Sequence, residues 1–373
     1  GDALTDADYN VAVGYLALSG DTLGSSSVAI GTSALRNQNF TTATDAYNTG
    51  VGRSAGTSIT TGSINTLIGG LAGDALTIGN SNVAVGYNAL TTEVAGDRNT
   101  AIGVGALALQ TNASTVDVFN TAVGYNSGAA VTTGVQNTFI GGLAGDALTD
   151  ADFNTSVGYT SLGSDTLGSR STAIGYAALT AQNFTTATNT FNTAMGYAAG
   201  LAVTTGVQNT LIGASAGDAL TDADYNVALG YVALSSDTLG SRSVAIGYAA
   251  LVAQNFTTAT DSYNTAVGSS AGAAITTGVQ NTFIGGLAGN NTDDGTYNVA
   301  VGVGALSGNC GNSNVAIGVG AATASTGDSN TIMGTNAGYA LTSGNNNLFI
   351  GKDAGRTGSP GGNITTGGNE IVL

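Results

Sequence analysis

The densest group of titratable side chains is Asp146, Asp150 and Asp152, in the run Asp-Ala-Leu-Thr-Asp-Ala-Asp. It returns as Asp218, Asp222 and Asp224, and as Asp2, Asp6 and Asp8. Loops rich in carboxylate oxygen can hold Ca²⁺, and a threefold axis would triple the ligand count, so these six later aspartates are the only metal candidates. The plainer reading is an acidic, solvated loop. The block from Asp74 carries Ile78 and Asn80 where the other copies have acids, so an ion is not needed in every block. Because the carboxylates recur with the repeat instead of breaking it, they also lack the local pair that glycoside hydrolysis requires. The chain has no histidine, which excludes Ser-His-Asp chemistry and imidazole metal sites. Lys and Arg total seven, too few for phosphate clamping; Cys310, the single cysteine, excludes an internal disulfide and reads as a small buried residue. Gly103-Val104-Gly105 is one copy of a repeated corner, without the βαβ context of a dinucleotide loop. No catalytic residue and no cofactor is expected, and the chain reads as a non-enzyme.

The whole sequence is organised by one column: Asn (sometimes Ser), three mostly small or apolar residues, then Gly. It recurs twenty times from Asn10–Gly14 to Asn347–Gly351, and a further copy begins at Asn369. The corner glycines Gly14, Gly31, Gly52, Gly69, Gly86, Gly103, Gly124 and Gly141 show a 17-residue period with occasional 21-residue coils. Gly31, Gly103, Gly175 and Gly247 mark a longer, 72-residue block of four coils, one of which is the 21-residue kind. A short period filling a chain is the mark of a repeat architecture. The 72-residue pattern fades near residue 290, giving a regular section (1–290) and a divergent terminal section (291–373) that contains the only proline, Pro360.

Each coil must be built from β-structure. The residue before Gly is Val, Ile, Leu or Met in every copy, and Thr or Val stands three before it almost always, which is strand chemistry. Three residues after Gly comes Ala in eighteen of twenty copies. We expect two strands of four or five residues, with Gly at the corner because it accepts positive φ, and a parallel β-solenoid of about twenty coils. Stacked at about 4.7–4.9 Å, these would form a rod on the order of 100 Å long. The column Asn10, Asn48, Asn65, Asn82, Asn99, Asn120, Asn137, Asn154, Asn192, Asn209, Asn226, Asn264, Asn281 and Asn298 is then a side-chain amide ladder. Leu67, Phe139, Leu211 and Phe283 place bulk in a column that is usually Ala, and are expected on an outer face that meets other copies. The frequent Tyr after Gly is expected to shield the edge of a narrow core. Asn39-Phe40-Thr41, Asn183-Phe184-Thr185 and Asn255-Phe256-Thr257, in the 21-residue coils, match a glycosylation acceptor; we read them instead as bulging loops with an aromatic tip, placed for lateral contact.

Composition narrows the partners. Net charge is −16, against the basic stripe that nucleic acid needs. No run of eighteen apolar residues occurs, so no membrane insertion is expected. No signal peptide is visible, and residue 1 falls in mid-pattern while Leu373 stops where another Gly is due, as in an excised piece of a longer fibre. Each coil offers only one or two bulky aliphatics against a whole turn of backbone to order, so association of copies, threefold in our reading, is expected to supplement the core.

Asn-Val-Ala-Val-Gly-Tyr (10–15), Ser-Val-Ala-Ile-Gly (27–31) and Asn-Thr-Ala-Val-Gly (264–268) resemble the head repeats of trimeric autotransporter adhesins, and still more the coil repeats of bacteriophage tail-fibre proteins. Gly-Gly-Asn-Glu-Ile-Val-Leu (367–373) is similar to the segment that precedes a self-cleaving chaperone in many such fibres. The resemblance covers essentially the whole chain and implies a trimeric, left-handed β-roll, extracellular or on a virion, that binds a host or surface glycan or protein. Both kinds of coil in this chain are longer than the adhesin pattern. The leading expectation is a structural and adhesive fibre segment, with a bacterial cell-surface adhesin head as the alternative. An ice-binding solenoid competes less well, because Val11, Val28, Val83 and Val244 interrupt the Thr column (Thr100, Thr121, Thr138, Thr155).

Overall fold

The chain is all-β, a parallel β-solenoid of about twenty turns at the 17-residue spacing. The computed structural model describes residues 1–356, 362 and 364–373, and no helix occurs among them; Pro360 lies outside the described residues. Two compact units divide the chain, Gly1–Phe191 and Asn192–Leu373. The first contains ten three-residue strands, from Val11–Val13 to Thr172–Ile174. The second contains ten more, from Thr193–Met195 to Leu348–Ile350, and a final two-residue strand, Ile371–Val372. Within each unit the strands pair in parallel without slip. Thr66, Leu67 and Ile68 face Val83, Ala84 and Val85, for example, and Val315, Ala316 and Ile317 face Thr331, Ile332 and Met333.

Where two strands of four or five residues were expected, each coil forms one of three residues. A second strand of two residues appears only at 21-residue coils and the coils before them, where Gly24–Ser25 pairs with Thr44–Asp45, Gly168–Ser169 with Thr188–Asn189 and Gly240–Ser241 with Thr260–Asp261. Past the corner Gly the backbone alternates in handedness: Gly14 has φ 133°, Leu16 φ 55° and Leu18 φ 49°. Such a segment cannot be extended, yet its amides still join neighbouring coils. Ser33 donates its N–H to Tyr15 O at 2.8 Å, and Leu18 donates to Ala34 O at 3.0 Å. Left-handed backbone costs a non-glycine residue about 1–2 kcal/mol, and these inter-coil bonds offset it. The corner itself has no room for a side chain. A Cβ on Gly141 (φ 130°) would lie 2.7 Å from the carbonyl oxygen of Gly158 in the next coil.

In every three-residue strand after the first, only the middle residue is buried. Ala84, Ala101 and Ala122 are fully buried, and so are Leu67, Phe139, Leu211 and Phe283, which were expected on an outer face. Alternate residues of a strand face opposite ways, so burial of the centre turns both flanking β-branched residues outward. Ile68, Ile102 and Ile140 are 39%, 38% and 41% exposed.

The 72-residue block is a packing unit. Two successive coils carry Leu four residues after the corner (Leu90, Leu107) and the next two carry Gly (Gly128, Gly145). Where Gly stands, bulk arrives from the strand centre and from a residue seven past the corner: Phe139, Val131 and Leu148, all buried. A Cβ on Gly145 would meet the Phe139 ring. Large and small residues thus exchange places along the lumen at close-packed density.

Candidate functional site

The seventh residue after the corner also carries the polar half of the block: Asp21 then Gln38, Glu93 then Gln110, Asp165 then Gln182, Asp237 then Gln254, all fully buried. Sequence reasoning missed these residues, although their 72-residue recurrence was visible. Each acid secures a 21-residue coil. Asp237 Oδ1 accepts N–H groups from Gly240 and Phe256, both at 3.0 Å, and Oδ2 accepts Gln254 Nε2 at 2.6 Å. Asp21 holds Gly24, Phe40 and Gln38 in the same way. No cation pairs with these carboxylates; fixed N–H dipoles surround them instead.

The glutamines carry the asparagine ladder across the longer coils. Asn65 and Asn82 each donate Nδ2 to the preceding Asn Oδ1 at 3.2 Å and to a backbone carbonyl, Gly79 O and Gly96 O respectively, at 2.9 Å. At the inserts Ser27 and Ser243 replace Asn. Gln38 Nε2 donates to Ser27 Oγ at 3.0 Å, and Gln38 Oε1 accepts Asn48 Nδ2 at 2.9 Å. Gln254 repeats the bridge between Ser243 and Asn264. The expected column members Asn10, Asn99, Asn120, Asn137, Asn154, Asn209, Asn226, Asn281 and Asn298 each accept, on the side-chain oxygen, the N–H of the equivalent position one coil on, which is Asn or, after Asn10, Asn154 and Asn226, Ser. Asn192 accepts from Asn209 in the same way. Asn99 is the exception on the donor side: it heads a 21-residue coil with Asn where the others have Ser, and its buried Nδ2 has no partner.

Outside, two uncharged columns lie side by side in each unit, Thr or Val three before the corner and Val, Ile, Leu or Met one before it. The tyrosines after the corner are exposed as well: Tyr87, Tyr125 and Tyr197 at 55%, 60% and 61%, where shielding of the core was expected. The narrow lumen is already filled by Ala and Leu, so the rings stack on one another along the coils. Tyr159 and Tyr176 lie 5.9 Å apart at 16°, and Tyr231 and Tyr248 5.8 Å apart at 18°. Conversely Phe40, Phe184 and Phe256, expected as exposed loop tips, are each 6% exposed; the acid that binds the Phe N–H draws the loop inward.

A second exposed aromatic column stands five residues before the corner. Arg98 covers Phe119, Arg170 lies between Phe153 and Phe191, and Arg242 lies between Tyr225 and Tyr263.

The acidic candidates are dispersed. Asp150 Oδ1 accepts Thr133 Oγ1 at 2.5 Å and Asp152 Oδ1 accepts Val135 N–H at 2.8 Å, while Asp222 and Asp224 repeat these contacts with Thr205 and Val207. Among the described residues no group of three or more His, Cys, Asp or Glu is placed to hold a metal. Burial raises the carboxyls of Asp146 and Asp218 above the ordinary range, and hydrogen bonds counter it in part. Burial also pushes the Cys310 thiol up to about 11, so it is no thiolate nucleophile at neutral pH. No helix is long and apolar enough to cross a membrane among the described residues. No protein-family model matches the chain, and no curated protein matches it.

Proposed function

We propose that the chain is a structural and adhesive segment of a fibre, and that copies associate through the outward face of the sheet. The observation that carries this reading is the uncharged double column on each unit, in which Ile68, Ile102, Ile140, Met195, Ile284 and Met333 are each close to 40% exposed. Contiguous apolar surface of this kind marks an interaction site. Its period is that of the chain itself, so a second copy matches it rung for rung. Threefold association on an extracellular or virion-borne fibre is what the family resemblance implies. Recognition of a surface glycan or protein would then be multivalent, with weak contacts repeated on each copy.

The test is retention of labelled protein on bacterial cells and immobilised glycans, compared with a variant carrying Ile68→Lys, Ile102→Lys and Ile140→Lys. The substituted side chains face water, so the coil fold is expected to persist while retention drops at least tenfold. Wild-type protein that adheres to no cell or glycan would overturn the adhesive reading.

Ice binding gains from one observation: Thr or Val and Val or Ile lie in adjacent outward columns that repeat in register. Thermal hysteresis by the purified protein would favour it over adhesion, and its absence would remove it.

A further inference from the structure

The repeat breaks its own pattern at Arg170. In the second unit Arg242 Nε donates to Asp261 Oδ1 at 2.9 Å, and its guanidinium carbon lies 4.7 Å from the Tyr225 ring centre and 5.8 Å from Tyr263. Asp261 neutralises it in an ion pair. In the first unit Arg98 is paired with Asp117. Arg170 has the same frame: Nε donates at 3.0 Å to residue 189, and the guanidinium carbon lies 4.6 Å from Phe153 and 6.0 Å from Phe191. Residue 189, however, is Asn. The amide fixes the guanidinium as the carboxylate does, but leaves its charge uncompensated. Asp152, in the preceding coil, is bonded to Val135 N–H and forms no ion pair with Arg170. Arg170 is solvent-exposed.

A guanidinium held at Nε and stacked on rings presents its two terminal nitrogens as a rigid fork, the geometry that takes a carboxylate in two parallel hydrogen bonds. The flanking rings here are phenylalanines, where the equivalent site has tyrosines. They offer an apolar surface for the C–H groups of a sugar ring. The net charge of −16 repels a long polyanion such as nucleic acid far more than a short saccharide with one carboxylate per ring. We propose that Arg170, with Phe153, Phe191 and Asn189, forms a binding site for a sugar acid, its carboxylate on the guanidinium fork and its ring against the phenylalanines. This site is independent of whether copies of the chain associate.

The chain has six arginines, so Nε–Hε resonances of the ¹⁵N-labelled full chain report on each separately. Titration with trigalacturonate is expected to shift the Arg170 resonance saturably, while neutral maltotriose leaves it in place. In Asn189→Asp the internal carboxylate competes, and the affinity is expected to drop roughly fivefold, the value of an exposed ion pair. In Asp261→Asn the Arg242 resonance should begin to respond. The proposal is overturned if trigalacturonate leaves Arg170 unmoved, if maltotriose or sodium sulfate moves it as strongly, or if Asn189→Asp binds as well as wild type.

Discussion

Asn99 and Asn137 occupy the same column, and their surroundings dictate opposite responses to one substitution. Asn137 donates to Asn120 Oδ1 and Ala151 O and accepts the Asn154 N–H, so Asn137→Ser strands buried partners and should cost about 1–3 kcal/mol. Asn99 already has an unpartnered Nδ2, and Ser in its place would give Gln110 the acceptor that Gln38 and Gln254 find in Ser27 and Ser243. Asn99→Ser should therefore be neutral or stabilising by up to about 1 kcal/mol. Denaturant unfolding of the two variants checks the contrast. Asp218 supplies a second prediction at this scale. Its carboxyl is raised by burial, so the folded state favours the protonated form. The stability from that preference is fully present below the ordinary carboxyl value of about 4 and is lost as pH rises through the folded value. Asp218→Asn should accordingly raise the melting temperature at pH 7, with the gain shrinking as pH falls below about 4; a gain that grows in acid would contradict the assignment. The block after that of Asp218 makes this exchange itself, with Asn290 in the equivalent place.

The element that matters is the 72-residue block, where bulk alternates between the strand centre and the position four past the corner. Phe139→Ala should cost about 3–5 kcal/mol by leaving a cavity, and Gly145→Leu about 1–3 kcal/mol by overpacking against Phe139. The backbone tolerates Leu at this position, as Leu18 at φ 49° shows. The double variant recreates the Ala-and-Leu pairing of Ala101 and Leu107, so a double-mutant cycle should reveal favourable coupling of at least about 1 kcal/mol. Additive losses would mean that the two positions do not share one volume. This exchange explains what could be read from the sequence. The parallel stack, the Gly corner and the Asn column follow from residue identity at a fixed period. Which strand face is inside does not, because Val and Ile flank a central Ala and hydrophobicity alone assigns the larger pair to the core. The count is set by backbone: a three-residue strand followed by alternating left-handed turns leaves a lumen wide enough for Ala, or for one Phe opposite Gly. The buried Asp–Gln pairs were obscured for a related reason, since an acid in a repeat is ordinarily read as solvent-facing, and only the N–H donors of a folded insert reverse that.

At the scale of the whole molecule, each unit turns its Thr, Val and Ile columns to water along every rung, and its core is lined mainly by Ala and Leu with few larger side chains. Association would cover that surface and supplement the core. The most direct measurement is the mass of the purified chain in solution by light scattering at micromolar concentration. A whole-number multiple of 36.1 kDa, with three copies expected, is the predicted result, and the variant with Ile68→Lys, Ile102→Lys and Ile140→Lys should return to 36.1 kDa with an unchanged β-sheet spectrum. Wild-type protein that remains at 36.1 kDa, fully folded, would contradict the claim that the outward face joins copies of the chain.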